Sequence, residues 1–384
     1  MLKVLVACDK FKGSLTAQEA CAAIAGGIDL LPYAIDVEQL PVADGGEGTL
    51  AAALHMGFTP VEVNASGPTG EPIVARYARR GDLAIVELAE VCGFARLPDG
   101  HLVPRTASSR GCGDVIAAAV DAGCRRVVLA VGGSTSTDGG AGLVQALGAR
   151  VLDAHGCDLL PGGAALSAVA SIHLPPLQQR LAGVKISVAC DVDNPLVGEQ
   201  GAARVYAPQK GAGARDITEL EAGMRKWADV VMRATGVDHR FTPGAGAAGG
   251  VGFAAIALLG AEIHAGIDLL LELLGFADRI RFADLVITGE GSLDDQTLRG
   301  KAPVGVAAVS QAARIPVVAV CGRSSLSIEE LRAVGIKDSY SCESLEPDQE
   351  RSMANAASLL GLIGQRIALD HLALEDKGRR ALSE

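Results

Sequence analysis

Residues 125–142 read RRVVLAVGGSTSTDGGAG. A β-branched apolar run passes without transition into eleven residues holding five glycines, four hydroxyl side chains and one carboxylate, Asp138. A continuous apolar run of this length suits a strand buried on both faces, as in a parallel sheet. The glycines mark a backbone that turns sharply or approaches something closely, and the hydroxyls mark that something as polar. The same pairing recurs along the chain. KVLVA (3–7) runs into CDKFKGS, VKISVAC (184–190) into DVDNP, DLVIT (284–288) into GEGSLDD, and VVAV (317–320) into CGRSS.

Helical segments alternate with these runs. Thr16-x-x-Glu19 reads as a capping box opening an Ala-rich helix that ends near Gly26 and Gly27, and Thr218-x-x-Glu221 as the start of a longer helix ending at Gly236. Pro303 suits the first position of a helix over 303–313. Strand–loop–helix alternation predicts an α/β fold. In such sheets ligands sit outside the carboxyl ends of the strands, where the polar loops fall, so GGSTSTDGGAG is expected to form one wall of a ligand crevice.

Composition narrows the partners. A formal net charge of −11 argues against nucleic acid or an anionic membrane, both of which are bound by clustered Lys and Arg. The nine cysteines have no C-x-x-C spacing and lie mostly in apolar runs, which predicts reduced, buried thiols in a cytoplasmic protein. The segment MLKVLVACDKFKGS reads as lacking a leader, and VGFAAIALLGAEI is too short to span a bilayer. The segment LALEDKGRRALSE (372–384) reads as the solvated end of a helix.

Two nucleotide fingerprints fail on context. Arg299-Gly300-Lys301-Ala302 lacks the upstream glycine and the hydroxyl of a P-loop. GAGAAG (244–249) matches G-x-G-x-x-G, but the preceding DHRFTP does not read as a strand, which leaves an NAD(P)-dependent oxidoreductase as the weaker reading. Taken together, DGGEGT (44–49), GGSTSTDGGAG, PQKGA (208–212), PGAGAAGG (243–250) and TGEGSLDDQT (288–297) offer many backbone N–H groups, several carboxylates and a few lysines. Amides attract anions, and carboxylates beside them suit a divalent cation or proton transfer. That combination fits phosphoryl transfer from a magnesium-bound nucleotide, with a non-catalytic binding protein as the other alternative.

DKFKGSLTA, ADGGEGT, GGSTSTDGGAG, CDVDNPL, APQKGA, PGAGAAGGVGF and ITGEGSLDDQTLRGKAPVGVA occur in this order, and together they resemble the motifs of the class I glycerate kinases. Lys10 stands where many members carry Ser, and SSRGCGD (108–114) replaces a more usual T-S-x-G-T-G-E. The resemblance implies ATP-dependent phosphorylation of D-glycerate, usually to 2-phosphoglycerate, with 3-phosphoglycerate or another short hydroxy acid as the alternative. It also implies two α/β domains of parallel-sheet, Rossmann/flavodoxin-like character. Residues 1–65 and 285–384 would make a discontinuous domain, with 66–284 inserted and the active site in the interdomain cleft. A monomer or homodimer acting on a small molecule is expected.

Phosphorylating glycerate needs a proton acceptor at one hydroxyl, cations over the transferring phosphoryl and a clamp for the carboxylate. Asp191, just past the strand VKISVAC, is the favoured base; an Asx-turn before Pro195 is its structural alternative. Lys12 and Lys210 are the catalytic cations. Asp9, Lys10, Arg105, Asp193 and Asn194 are assigned to substrate, with Arg105 suited to a bidentate carboxylate clamp. Gly133, Ser134, Thr135, Gly139, Gly246, Gly289 and Lys301 are assigned to ATP phosphates. Asp44, Glu47, Asp138, Glu290 and Asp294 compete for Mg²⁺. Trp227, in EAGMRKWADVVMRA, reads as core or interface.

Overall fold

The computed structural model describes residues 1–372. They form two compact units: Met1–Asp44 together with the described residues from Ile267 onward, and Gly45–Gly266. The reading of residues 372–384 as a helix end falls, beyond Leu372, outside the described residues.

In the first unit five strands make one all-parallel sheet, in the spatial order Asp338–Ser341, Val317–Ser324, Leu285–Leu293, Leu2–Cys8 and Ile35–Gln39. Counted along this unit's own chain from the Ile35–Gln39 edge, the order is 2-1-3-4-5, the flavodoxin-like arrangement, with Gly45–Gly266 inserted between the second and third strands. Val4, Val6, Ile287, Val318 and Val320 pack on Ile24 and Ile28 of the helix Ala17–Asp29 and on Ile363 and Ile367 of the helix Ala356–Ile367. Each such side chain contributes about 1.5–3 kcal/mol on full burial. The helix Ala17–Asp29 opens with the capping box read from the sequence: Thr16 Oγ1 accepts from the Glu19 N–H, and the Glu19 carboxylate accepts from the Thr16 N–H.

The second unit carries a six-stranded mixed sheet in the order Glu262–His264, Lys185–Ala189, Arg126–Ala130, Leu83–Glu87, Pro72–Arg80 and Thr59–Ser66. The first four are mutually parallel and the last two antiparallel. Arg150–Leu152 and Ser171–His173 form a separate antiparallel pair. All five apolar runs singled out in the sequence are strands. Thr59–Ser66 and Pro72–Arg80 were not legible as such, because part of each is exposed and their side chains do not make a continuous apolar run.

Two readings change. The helix expected from Thr218 begins a turn earlier, at Ala214; Asp216 accepts from the Gly213 N–H, and Thr218 lies inside the helix, donating to the Ala214 carbonyl. The units divide at 44/45 and 266/267, where the sequence reading divided the chain at 65/66 and 284/285. Thr59–Ser66 belongs to the second unit because its partner, Pro72–Arg80, lies there, and Phe276–Ile280 adds Phe276 and Ile280 to the buried interior of the first. Eight of the nine cysteines are buried and Cys157 is exposed. Among the described residues, no helix is long and apolar enough to cross a membrane.

Candidate active site

The central strands of the first unit, Leu2–Cys8 and Leu285–Leu293, flank the point where the strand order reverses, the position at which doubly wound sheets bind ligands. Asp9 leaves the first of these strands and donates its N–H to the Gly289 carbonyl on the second. Its carboxylate is buried and accepts from the Lys10 N–H at 2.6 Å, with Lys10 Nζ at 3.8 Å. Burial pushes the Asp9 carboxyl up to about 7; Lys10 opposes the rise, while Asp44 and Glu290 add to it. Glu290, also buried, accepts from Thr297 Oγ1 at 2.7 Å and pairs with Lys301 Nζ at 3.6 Å. Burial raises its carboxyl too, against Thr297 and Lys301 and with help from Asp44 and Asp294. Asp294 closes a local turn by accepting from the Gln296 N–H. Lys12 is exposed on the loop after Asp9.

In the second unit the GGEGT stretch (45–49) lies against the carboxyl ends of the parallel strands. A side chain on Gly45 would fall 2.9 Å from Gly266 Cα and 3.0 Å from Ala189 Cβ, and one on Gly132 would fall 2.4 Å from Gly46 Cα. Thr49 Oγ1 donates to the Gly46 carbonyl at 2.7 Å. Glu87, the last residue of Leu83–Glu87, accepts from the N–H groups of Gly48 and Leu50, the latter at 2.8 Å. Asp191, exposed just past Lys185–Ala189, accepts from the Gly266 N–H at 2.7 Å. Asp193 and Glu47 are exposed as well.

The GGSTSTDGG loop is turned largely inward. Ser134 through Gly140 are buried, while Gly133, in a left-handed conformation at φ +75°, is exposed. Lys210 is buried and donates to Ser134 Oγ and to the Ser136 carbonyl; Thr135 Oγ1 donates to the Cys92 carbonyl. Burial lowers the Lys210 ammonium to about 8, with Cys92 and Asp138 opposing. Asp138 is fully buried and accepts from the Ser109 N–H at 2.8 Å, from Ser109 Oγ at 2.9 Å, and from the N–H groups of Gly140 and Gly142. Burial drives its carboxyl upward against these donors.

These contacts show how several of the residues assigned from the sequence are held. Asp138 is met by donors of its own unit, and these contacts anchor the loop. Lys210 is spent on the loop and does not present a free ammonium. Asn194 is likewise engaged: its amide donates to the Gln200 carbonyl and its oxygen accepts from Tyr206 Oη. Arg105, assigned as a carboxylate clamp, pairs with Glu219 at 2.7 Å and Asp216 at 3.8 Å. Three glycines assigned to phosphate are needed for packing. A side chain on Gly139 would fall 2.6 Å from Trp227 Cδ1, one on Gly246 2.3 Å from the Pro195 carbonyl oxygen, and one on Gly289 2.2 Å from that of Val320. Trp227 is buried, as read, and donates to the Gly139 carbonyl. Among the described residues no group of three or more His, Cys, Asp or Glu forms a candidate metal cluster.

The GAGAAG segment follows no strand and packs on the GGSTSTDGG loop, with the Gly139 N–H donating to the Gly249 carbonyl; this removes the dinucleotide reading. What remains are strand-end loops carrying carboxylates, lysines and exposed backbone. The model of the glycerate kinase family matches residues 4–371. This chain belongs to the glycerate kinase family. The family is one of phosphotransferases, so the chain is placed among enzymes. A glycerate kinase of Bacillus subtilis is 43% identical over 343 residues, 88% of this chain and 90% of the relative. A glycerate 2-kinase of Escherichia coli is 40% identical over 345 residues, again 88% and 90%. A crystal structure from Salmonella typhimurium LT2 carrying the name glycerate kinase 2 superposes with a TM-score of 0.84 at 37% identity, covering 99% of both chains.

Within this family member, the sequence reading missed Glu87 and Ser109. Glu87 carries a usable signal, a lone carboxylate closing the apolar run LAIV. Ser109 lies in the SSRGCGD stretch, but its pairing with Asp138, 29 residues away, has no local signal.

Proposed function

We propose that this protein is an ATP-dependent D-glycerate kinase giving 2-phosphoglycerate and ADP, acting in the cytoplasm on small molecules. The observation that carries the reading is the family match over residues 4–371, whose relatives include an enzyme named for phosphorylation at the 2-position. The buried carboxylates at the strand-order reversal of the first unit and the exposed Asp191 of the second support it, since both lie where α/β sheets bind ligands.

In this reading Asp191 takes the proton of the acceptor hydroxyl as the hydroxyl oxygen bonds to the γ-phosphorus and the bond to the ADP oxygen breaks. Lys12 and Lys301 offset the charge of the transferring group, and Asp9, Lys10 and Asp193 orient glycerate. Gly133 supplies exposed backbone to the phosphates, a role its missing side chain allows. Asp44, Glu47, Glu290 and Asp294 are the hard oxygen donors suited to Mg²⁺. An ion held by one or two carboxylates and completed by phosphate oxygens and water needs no three-residue cluster. Bound there, Mg²⁺ would neutralise charge on the phosphates.

The test is phosphorus NMR of the product from D-glycerate, ATP and Mg²⁺. A 2-phosphoglycerate resonance is expected. A 3-phosphoglycerate resonance would overturn the regiochemistry, and ADP release no faster than without glycerate would overturn the activity.

A further inference from the structure

Glu87 is a buried carboxylate that the phosphoryl-transfer reading does not use. Three features single it out. It stands at the carboxyl end of a central strand of the second unit, between Arg126–Ala130 and Pro72–Arg80. It is 5% exposed, and its two oxygens accept from the N–H of Gly48 at 3.2 and 3.3 Å and from the N–H of Leu50 at 2.8 Å, 37 to 39 residues away. Those amides flank the turn at Gly48, which is left-handed at φ +102° and directly follows the exposed Glu47.

A carboxylate buried this deeply is costly unless donors meet it, and backbone N–H groups are its strongest neutral partners. Here the donors are the otherwise unpaired amides at the start of the helix Thr49–His55, a position with no side-chain cap of its own. The carboxylate thus substitutes for a cap and at the same time fixes the backbone on the far side of Glu47. The rest of the segment is already held: Gly46 by Thr49 Oγ1 and by close approach to Gly132, and Gly45 by close approach to Gly266 and Ala189. Gly48 is the one left-handed turn between that packed stretch and the helix, so the direction of Glu47 depends on what anchors Gly48.

We infer that Glu87 is a positioning residue, which holds the Gly48 turn through two backbone amides and so sets the placement of Glu47 for the reaction. Its link to the reaction rests on the kinase reading; the clamp itself does not. The experiment uses the full chain with Glu87→Gln, Glu47→Gln and the double variant, and Glu87→Asp as a shorter but charged control. Amide hydrogen exchange over residues 45–51 is read by mass spectrometry, beside steady-state kinetics with ATP, Mg²⁺ and D-glycerate.

In Glu87→Gln the amide group turns a donor toward a donor, so exchange in this segment should speed up by about 10-fold or more while protection elsewhere in the second unit is kept. Glu87→Asp should fall between Glu87→Gln and the parent. Turnover should drop in Glu87→Gln with KM for glycerate little changed, and adding Glu87→Gln to Glu47→Gln should lower it no further, the signature of two residues acting as one. Unchanged exchange in both Glu87 variants would overturn the clamp, and additive losses of turnover would overturn its action through Glu47. If the parent protein does not phosphorylate glycerate, the kinase reading falls and the exchange measurement still decides the clamp.

Discussion

The ammonium of Lys210 lies 2.8 Å from Ser134 Oγ and 2.5 Å from the Ser136 carbonyl oxygen, tying together segments more than seventy residues apart in sequence. A buried cation is tolerated only when acceptors and opposite charge meet it, and here the loop supplies the first while Asp138, at the other end of the same loop, supplies the second. Replacing Lys210 with Met leaves the Ser134 hydroxyl and the Ser136 carbonyl without their donor. The expected loss is about 1–3 kcal/mol in urea unfolding, with a fall in turnover of at least about 10-fold. A Lys210→Met variant as stable as the parent would show that the tie does not matter.

Asp138 makes the converse test. Its carboxylate accepts from five groups that can only donate or are donating, the Ser108 hydroxyl, the Ser109 N–H and hydroxyl and the Gly140 and Gly142 N–H. Asn at this position would turn an NH₂ toward at least one of them. Asp138→Asn is expected to destabilise by about 2–3 kcal/mol and Ser109→Ala by about 1 kcal/mol, both read from denaturant midpoints. If Asp138 were instead a metal ligand, Mg²⁺ would shift the melting temperature of the parent and not of Asp138→Asn; no such difference is expected.

Asp9 sets a pH dependence. Burial raises its carboxyl from 3.8 to about 7, so between those values the folded protein binds more protons than the unfolded chain. Its contribution to stability is therefore fully present below about pH 4 and is lost as pH rises toward 7. Glu87, raised from 4.5 to about 7 by burial, acts in the same sense. Asp9→Asn, which keeps an oxygen for the Lys10 N–H, should remove up to about 1.4 kcal/mol per pH unit of that downward slope. Thermal unfolding at steps between pH 4 and 8 reads the difference, and parallel curves for variant and parent would refute it.

Gly249 is one of the points where two glycine-rich loops touch. It sits at φ +67°, and a side chain there would lie 2.1 Å from the Ser136 carbonyl oxygen. Gly249→Ala therefore meets both backbone strain and a collision that no rotamer relieves, and a loss of about 3 kcal/mol or more is expected. Trp227, the single tryptophan, packs on Gly139 of the same loop and reports the change by its fluorescence during unfolding. An unfolding midpoint within error of the parent would mean the two loops separate without cost.

The α/β class, the five buried strands and the order of the glycine-rich loops were legible in the sequence by itself, because burial on both faces of a sheet demands uninterrupted apolar runs and strand ends demand turns. So was the capping box at Thr16, whose partners are three residues apart. Only the tertiary structure decided what the loop residues do. Asp138, Lys210, Asn194 and Arg105 carry the residue types that phosphoryl transfer needs, yet each is met by a partner of its own unit, and three of those four partnerships span tens of residues or more. Glu87 shows the reverse, a residue passed over in the sequence that proves to hold a loop. A carboxylate or an ammonium has the same chemistry wherever it stands; whether it faces a ligand or an amide of its own chain depends on long-range packing, which local pattern does not encode.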